Sequence, residues 1–164
     1  MYPQPGYRIL TRRIKGPAAL FSSLLAWWLN SHYSHIVPVL SETECLNIVW
    51  PRPKVVPVEH FLDGSYQVKI LRPVRPLTDN QVQRWLETAA VVERMEYDLE
   101  SFGGFLANDG TVQDPKRVNC AEGTLMMDWS AGLMTGHDGD LISPQTYIEF
   151  ARAGVFKPVF EEAR

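Results

Sequence analysis

The sequence Arg117-Val118-Asn119-Cys120-Ala121-Glu122-Gly123-Thr124-Leu125-Met126-Met127-Asp128-Trp129 carries a cysteine where a polar loop passes into a run with helical spacing. The first turn of a helix presents unpaired backbone N–H groups and the positive end of the helix dipole. A thiol at that position tends to have a lowered pKa and to be more nucleophilic at neutral pH. The same N–H groups can hold the oxyanion that forms when a thiolate attacks a carbonyl carbon. Cys120 is therefore a candidate nucleophile, although a buried structural cysteine is the commoner fate of this residue type.

Length and composition predict one globular domain over residues 1–164, since 45% of the residues are hydrophobic. The net charge is −3, so no basic footprint argues for binding to nucleic acid or to an anionic membrane. Two cysteines, Cys45 and Cys120, are too few for a disulfide framework or a cysteine zinc site, although a single bridge between them stays open. Free thiols would slightly favour a reducing, cytoplasmic compartment. We interpret His137, Asp138 and Asp140 as an exposed turn, and we predict no metal site and no cofactor.

Residue patterns predict an α+β domain with helices around a block of strands. Strands are predicted over 7–11, 34–40, 45–50, 55–58, 66–71 and 155–160, and helices over 17–30, 77–94, 120–133 and from 143 onwards. Thr78 or Asp79 is the expected N-cap of the second helix, and Ser143 that of the last, with Pro144 at its first helical position. Pro38 in the second strand lacks a ladder donor, which favours an edge position or a bulge.

The apolar segment Pro17–Leu29 follows three basic residues within 12–15 and so imitates a secretory signal. It is too short to cross a bilayer, begins late in the chain and is not followed by a small-residue cleavage site, so no membrane span is predicted. We interpret it as a first helix that becomes buried. Its two tryptophans are expected in the core together with two others further along the chain; the four are Trp27, Trp28, Trp85 and Trp129.

A cysteine nucleophile needs an imidazole within hydrogen-bond reach and a third group that fixes the ring. Of the four histidines, His35 begins a strand expected in the core sheet, which would hold a base rigidly. Asn47 lies in the next apolar strand, across a predicted hairpin turn, so its side-chain carbonyl can accept the imidazole N–H of His35. A half-exposed His35 without a role and a solvent-facing Asn47 remain the alternatives.

Six short motifs follow one another in an order typical of a known family. They are Asn30-Ser31-His32-Tyr33-Ser34-His35-Ile36-Val37, Asn47, Val58-Glu59-His60-Phe61, Tyr97-Asp98, Cys120-Ala121-Glu122 and Ser143-Pro144. From about Tyr7 to Val159 the chain thereby resembles the circularly permuted papain-like group of the NlpC/P60 superfamily, which includes the YiiX-like proteins. Three departures are Ala121, where the family usually has Ser, Asn47, where it usually has Glu, and the segment Pro51–Pro57, which lacks the usual glycine.

The resemblance implies a papain-like, circularly permuted NlpC/P60 fold, an antiparallel half-barrel sheet packed against helices. It implies Cys120 as nucleophile, His35 as base and Asn47 as the group that orients His35. It also makes Tyr97 and Asn119 candidates for oxyanion or substrate binding.

Three functions follow as expectations from the site residues and the resemblance. The first is a cysteine hydrolase (peptidase or amidase) that acts on a cell-wall peptide or a similar amide. The second is a hydrolase or acyltransferase for lipid or acyl esters on the same scaffold, which the apolar segment Ala18–Leu29 motivates. The third is a non-catalytic binding or phage structural module. A small peptide or acyl substrate is the expected partner, and no nucleic acid.

Overall fold

The computed structural model describes residues 3–98, 116–134 and 142–161. Within these ranges the helices are α1 (Ala19–Trp28), α2 (Asp79–Val92), α3 (Cys120–Ser130) and α4 (Pro144–Arg152), with a 3₁₀ turn over Val58–Phe61. The strands are β1 (Arg8–Arg13), β2 (His35–Pro38), β3 (Glu44–Asn47), β4 (Lys54–Pro57), β5 (Tyr66–Pro73), β6 (Glu96–Tyr97), β7 (Arg117–Val118) and β8 (Phe156–Glu161). The chain is thus a mixed α+β protein, as predicted.

The main sheet is antiparallel, with the strand order β2-β1-β5-β8. Strand β1 lies inside the sheet because β2 and β5 pair with its two edges, and the last strand, β8, adds to β5. Strand β2 is at the edge of this sheet, where the missing N–H of Pro38 leaves no partner unsatisfied. The edge position predicted for Pro38 is confirmed.

The predicted hairpin between the strands of His35 and Asn47 forms only in part. Strands β2 and β3 meet through a bridge between Val39 and Cys45, after which β3 pairs with β4 in a separate two-stranded sheet. A further pair was not predicted: β6 and β7 run parallel, with Tyr97 beside Val118. Strands of two residues are too short to give an alternating pattern in the sequence.

Helix α3 lies in the middle of the protein, against β2 and α2. Its buried residues include polar as well as apolar side chains; they are Cys120, Ala121, Gly123, Thr124, Leu125, Met127 and Asp128. The N-caps predicted for the flanking helices are confirmed. Thr78 and Gln81 form a capping box at α2, and Ser143 caps α4 with Pro144 at the first helical position.

Helix α1 contradicts the prediction of a buried helix. It packs on β1 through small side chains, with Ser22 and Ala26 buried. Four of its bulky side chains are exposed; they are Leu20, Phe21, Leu24 and Trp27. Trp27 is 78% exposed, and Trp129 on α3 is 40% exposed, so the core positions expected for these two tryptophans are wrong. Trp85 is fully buried, as predicted. Across the described residues, no helix combines the length and apolar character needed to cross a bilayer.

Candidate active site

The start of α3 is fixed by a reciprocal capping box. The side-chain oxygen of Asn119 accepts the backbone N–H groups of Ala121 at 2.9 Å and Glu122 at 3.0 Å. In return, the Glu122 carboxylate accepts the N–H of Asn119 at 3.0 Å. Cys120 is consequently the first helical residue, with its side chain in a defined direction. Because the Asn119 carbonyl oxygen forms the cap, that oxygen is committed to the helix rather than to a substrate.

Three backbone N–H groups lie near enough to the Cys120 sulfur to favour its charged form, those of Ile36, Cys120 itself and Ala121. The N–H of Ile36 is available because β2 is an edge strand. Val39 N bonds to Tyr7 O, and the alternation of antiparallel pairs then turns the Ile36 N–H away from β1. The sulfur therefore lies among donors contributed by two elements, the start of α3 and the edge of the main sheet.

Burial raises the pKa of the Cys120 thiol to about 11, which contradicts the lowered pKa expected at a helix start. The N–H groups of Ile36, Cys120 and Ala121 oppose this rise, and the Glu122 carboxylate adds to it. Desolvation wins because the thiolate would be a buried charge, whereas the helix start offers only partial positive charges. The resting form of Cys120 at neutral pH is the thiol.

His35 and Asn47 are joined by a hydrogen bond of 2.8 Å between Nε2 and Oδ1. An amide oxygen can only accept, so Nε2 carries the proton and the lone pair of the neutral ring lies on Nδ1. Burial lowers the pKa of His35 to about 4, and the bond to Asn47 opposes that shift. His35 is therefore a neutral imidazole at pH 7, in the tautomer that a base requires at Nδ1.

A cleft of about 340 Å³ brings the candidate residues together. His35, Cys120, Tyr97 and Asn119 all line it. The rest of its wall is mostly apolar and comes from α1, from the segment after β3 and from the start of α4; these residues include Phe21, Leu25, Trp28, Leu29, Val49, Trp50, Ile142 and Pro144. The thiol and the imidazole thus open into one space that is shaped for an apolar group.

Tyr97 enters the cleft from β6, which pairs with β7 immediately before Cys120. Burial raises the pKa of the Tyr97 hydroxyl, and the nearby Cys120, Glu122 and Asp98 raise it further. The hydroxyl consequently stays protonated and can act as a hydrogen-bond donor inside the cleft.

Two serines on the cleft wall were not predicted as part of the site. Ser22 on α1 and Ser34 beside His35 share a buried hydrogen bond of 2.6 Å between their hydroxyl oxygens. Ser22 also accepts the backbone N–H of Arg13 at 2.9 Å. This pair attaches α1 to the segment that carries His35. Ser34 stands in the motif around His35, but no pattern in the sequence indicates its partner on α1.

Cys45, the second cysteine, does not line this cleft. Cys45 is a free, buried cysteine whose S–H points to the Val56 carbonyl at 3.5 Å, so the bridge to Cys120 does not form. Burial raises the pKa of the Cys45 thiol to about 12, with Glu59 and Glu44 adding to the rise. His137, Asp138 and Asp140 lie outside the described residues.

A scan against family models and a search of curated proteins gave no match. A search of solved structures found the metalloprotein YiiX from Escherichia coli O157:H7 (DUF1105), with a TM-score of 0.70 and 17% sequence identity over 100% of both chains. The chain has a YiiX-like fold. At this identity the similarity shows the fold alone. Within residues 3–98, 116–134 and 142–161, no three His, Cys, Asp or Glu residues are grouped so as to hold a metal ion.

Proposed function

We propose that this chain is a thiol-dependent acyl hydrolase or acyltransferase of the circularly permuted papain-like NlpC/P60 type. The observation that carries the proposal is the 2.8 Å bond from His35 to Asn47 on the wall of the same cleft that Cys120 lines. A nucleophile, a base in the required tautomer and an orienting amide are the parts that acyl transfer through a thioester needs.

Acylation begins from a neutral pair, because the pKa of Cys120 is raised to about 11 and that of His35 is lowered to about 4, each chiefly by burial. Nδ1 of His35 takes the thiol proton as the sulfur attacks the substrate carbonyl carbon. The oxyanion that forms is stabilised by backbone N–H groups near the sulfur, foremost that of Cys120. When the intermediate collapses, the C–S bond remains, the bond to the leaving group breaks, and His35 returns the proton to that group.

Deacylation repeats these steps with a new nucleophile. His35 takes a proton from water, or from an acceptor alcohol or amine, which attacks the thioester carbonyl. The C–S bond breaks, and the proton passes to the sulfur, so that Cys120 is again a thiol. The Tyr97 hydroxyl lines the cleft and remains protonated, which suits it to donate to the substrate carbonyl. Asn47 keeps the proton of His35 on Nε2 throughout.

The cleft wall favours an apolar acyl group over a cell-wall peptide. Side chains of α1, such as Phe21, Leu25 and Leu29, form one side of it. A stem peptide carries charged carboxylates and amides that this wall would desolvate without hydrogen bonds. We therefore place an acyl ester, acyl thioester or acyl amide ahead of the peptide as the substrate.

The test is hydrolysis of p-nitrophenyl esters and acyl thioesters of increasing chain length, with muropeptides as a parallel substrate. We expect kcat/KM to rise by up to about fourfold per added methylene until the cleft is filled. Intact-mass measurement under single turnover should detect one acyl group on the protein, and peptide mapping should assign it to Cys120.

The variants Cys120→Ala and His35→Ala should lose the acyl adduct and nearly all turnover. Cys45→Ala is the matched control, because it removes the other buried cysteine outside the cleft. If folded Cys120→Ala and His35→Ala retain full activity, the assignment is wrong. Turnover of muropeptides alone would reject the apolar substrate. If no substrate is turned over and a thiol reagent labels Cys120 no faster than Cys45, the non-catalytic module is the better account.

A further inference from the structure

Helix α1 presents a row of large apolar side chains to solvent. Leu20, Phe21, Leu24 and Trp27, hereafter the α1 face, are all more than half exposed. Spacings of three and four residues place these side chains on one side of the helix. Contiguous exposed apolar surface of this kind marks an interaction site more often than scattered single residues do.

The α1 face is continuous with the mouth of the cleft. Phe21 of α1 is 66% exposed and also lines the cleft. Trp50, in the segment after β3, is 65% exposed and lines the cleft as well. A surface that covered the α1 face would therefore also meet the opening that leads to Cys120. A substrate that is part of such a surface could therefore enter the cleft directly.

Along the chain, the charges nearest to the α1 face are positive. The helix itself carries no charged residue, and Arg12, Arg13 and Lys15 precede it. Within the described residues none of these three forms a salt bridge. The acidic Asp63 is nearby: hydrogen bonds with Ser65 lower the pKa of its carboxyl, and the charges of His60 and Arg13 lower it further. Arg13 lines the cleft as well. The net charge of −3 for the whole chain conceals this local cluster.

We propose that the α1 face docks on the surface of a bilayer that contains anionic lipid, with α1 in the plane of the interface. Leucine, phenylalanine and tryptophan would enter the boundary between headgroups and acyl chains, while Arg13 and Lys15 meet lipid phosphates. The cleft would then open toward the acyl chains that the proposed function requires. In that respect the inference rests on the proposed function, but docking itself needs no chemistry at Cys120.

A second copy of the chain would cover the α1 face less well. A parallel pair of α1 helices would bring Arg13 and Lys15 of both copies close to one another, and an antiparallel pair would leave them without a counter-charge, because α1 carries no acidic residue. A surface with anionic lipid neutralises them in either case. The charge next to the face thus favours the lipid surface over self-association.

The test is cosedimentation of the full chain with vesicles of phosphatidylcholine alone and of phosphatidylcholine with phosphatidylglycerol. We expect binding to the mixed vesicles that weakens at high salt and is much lower with phosphatidylcholine alone. The variant Leu24→Ser/Trp27→Ser should bind the mixed vesicles at least about tenfold more weakly. Val91→Ser on α2 is the matched control, because Val91 and Leu24 are both 56% exposed. Urea unfolding verifies that each variant is folded.

Cys120→Ala should bind vesicles like the unmodified chain. Vesicle binding without turnover of any acyl substrate would refute the proposed function and leave docking intact, and turnover without vesicle binding would refute docking alone. Docking is also refuted if both vesicle types bind equally, or if Val91→Ser weakens binding as much as the double variant does. A dimer that the double variant dissociates, in the absence of vesicle binding, would assign the α1 face to a second copy instead.

Discussion

Helices α1 and α3 line the same cleft. Several apolar side chains of α1 are exposed, whereas polar side chains of α3 are buried. Helix α1 is the more apolar, yet its Leu20, Leu24 and Trp27 point to solvent. Helix α3 contains Thr124 and Asp128, and both are completely buried. The difference shows that burial in this protein follows the partners available to each helix rather than its composition alone.

The polar side chains of α3 are buried because each has a partner. Asp128 pairs with Arg8 of β1 and accepts the Tyr147 hydroxyl at 2.8 Å. The Arg8 guanidinium also lies over the rings of Trp85 and Phe156, at 5.0 and 4.0 Å from their centres. Among the residues that the structure describes, no comparable network holds the outer side of α1. Helix α3 therefore forms the fixed wall of the cleft, and α1 is the wall that meets the surroundings.

The largest predicted effect is the loss of the Arg8–Asp128 pair. Asp128→Ala leaves a buried guanidinium without its counter-charge, so we expect the free energy of unfolding to fall by about 3–5 kcal/mol. Urea titration measures it. The double variant Arg8→Met/Asp128→Leu removes both charges and should recover much of that loss. If Asp128→Ala costs less than about 1 kcal/mol, the pair does not fix α3 as described.

The next effect depends on pH, because folding places His35 in a half-buried site beside α3. Burial lowers the pKa of His35 from the ordinary value of 6.5 to about 4, against the opposing bond from Asn47. Between these values the unfolded chain binds a proton that the folded chain does not, so stability falls as the pH decreases. We expect His35 to account for a loss of about 2 kcal/mol by pH 5, relative to neutral pH.

The measurement is urea unfolding at both pH values for the unmodified chain and for His35→Gln. The pH-dependent loss should be smaller in His35→Gln by about the stated amount, while His32→Gln, which removes an exposed imidazole, should retain it. Equal losses in the unmodified chain and in His35→Gln would mean that the ring of His35 titrates as it does in water.

A smaller effect is expected from added volume on α3. A Cβ at Gly123 would lie 2.7 Å from Ile48 Cδ1, 3.0 Å from Val92 Cγ1 and 3.1 Å from Val118 Cγ2. Overpacking costs about 1–3 kcal/mol, and the higher helix propensity of alanine returns about 1 kcal/mol. Gly123→Ala should therefore destabilise by about 1 kcal/mol net. Adding Ile48→Val, which removes the nearest atom, should make the double variant less destabilised than the sum of the single variants.

Much of the fold could be predicted because its signals are local. The alternation in β5 and the capping residues Thr78 and Ser143 act within a few positions of the elements they define. The strand order could not be predicted, because β1 pairs with β2 and β5, and β5 with β8, through contacts far apart in sequence. The outward face of α1 could not be predicted for the same reason. The sequence shows that the helix is apolar, but not which of its sides contacts β1.

The candidate site divides in a similar way. Residue types and their order were sufficient to select Cys120, His35 and Asn47, and the structure brings all three to one region; their roles in catalysis stay predictions. The position of the Ile36 N–H near Cys120 could not be predicted, because every residue except proline has a backbone N–H and the residue type does not show where it points. The expected direction of the Cys120 pKa was wrong, because a helix start can be recognised from sequence and the desolvation around it cannot.

The smallest effect is expected on α1 and tests the comparison most directly. Leu24→Ala on α1 and Leu125→Ala on α3 are the same change at an exposed and a fully buried position. Leu125→Ala should cost about 2–5 kcal/mol through the cavity it leaves, and Leu24→Ala should stay within about 0.5 kcal/mol of the unmodified chain. Urea unfolding in dilute, lipid-free buffer measures both. A loss above about 1 kcal/mol for Leu24→Ala would mean that this side of α1 is already covered in the free protein and is not available to a lipid surface.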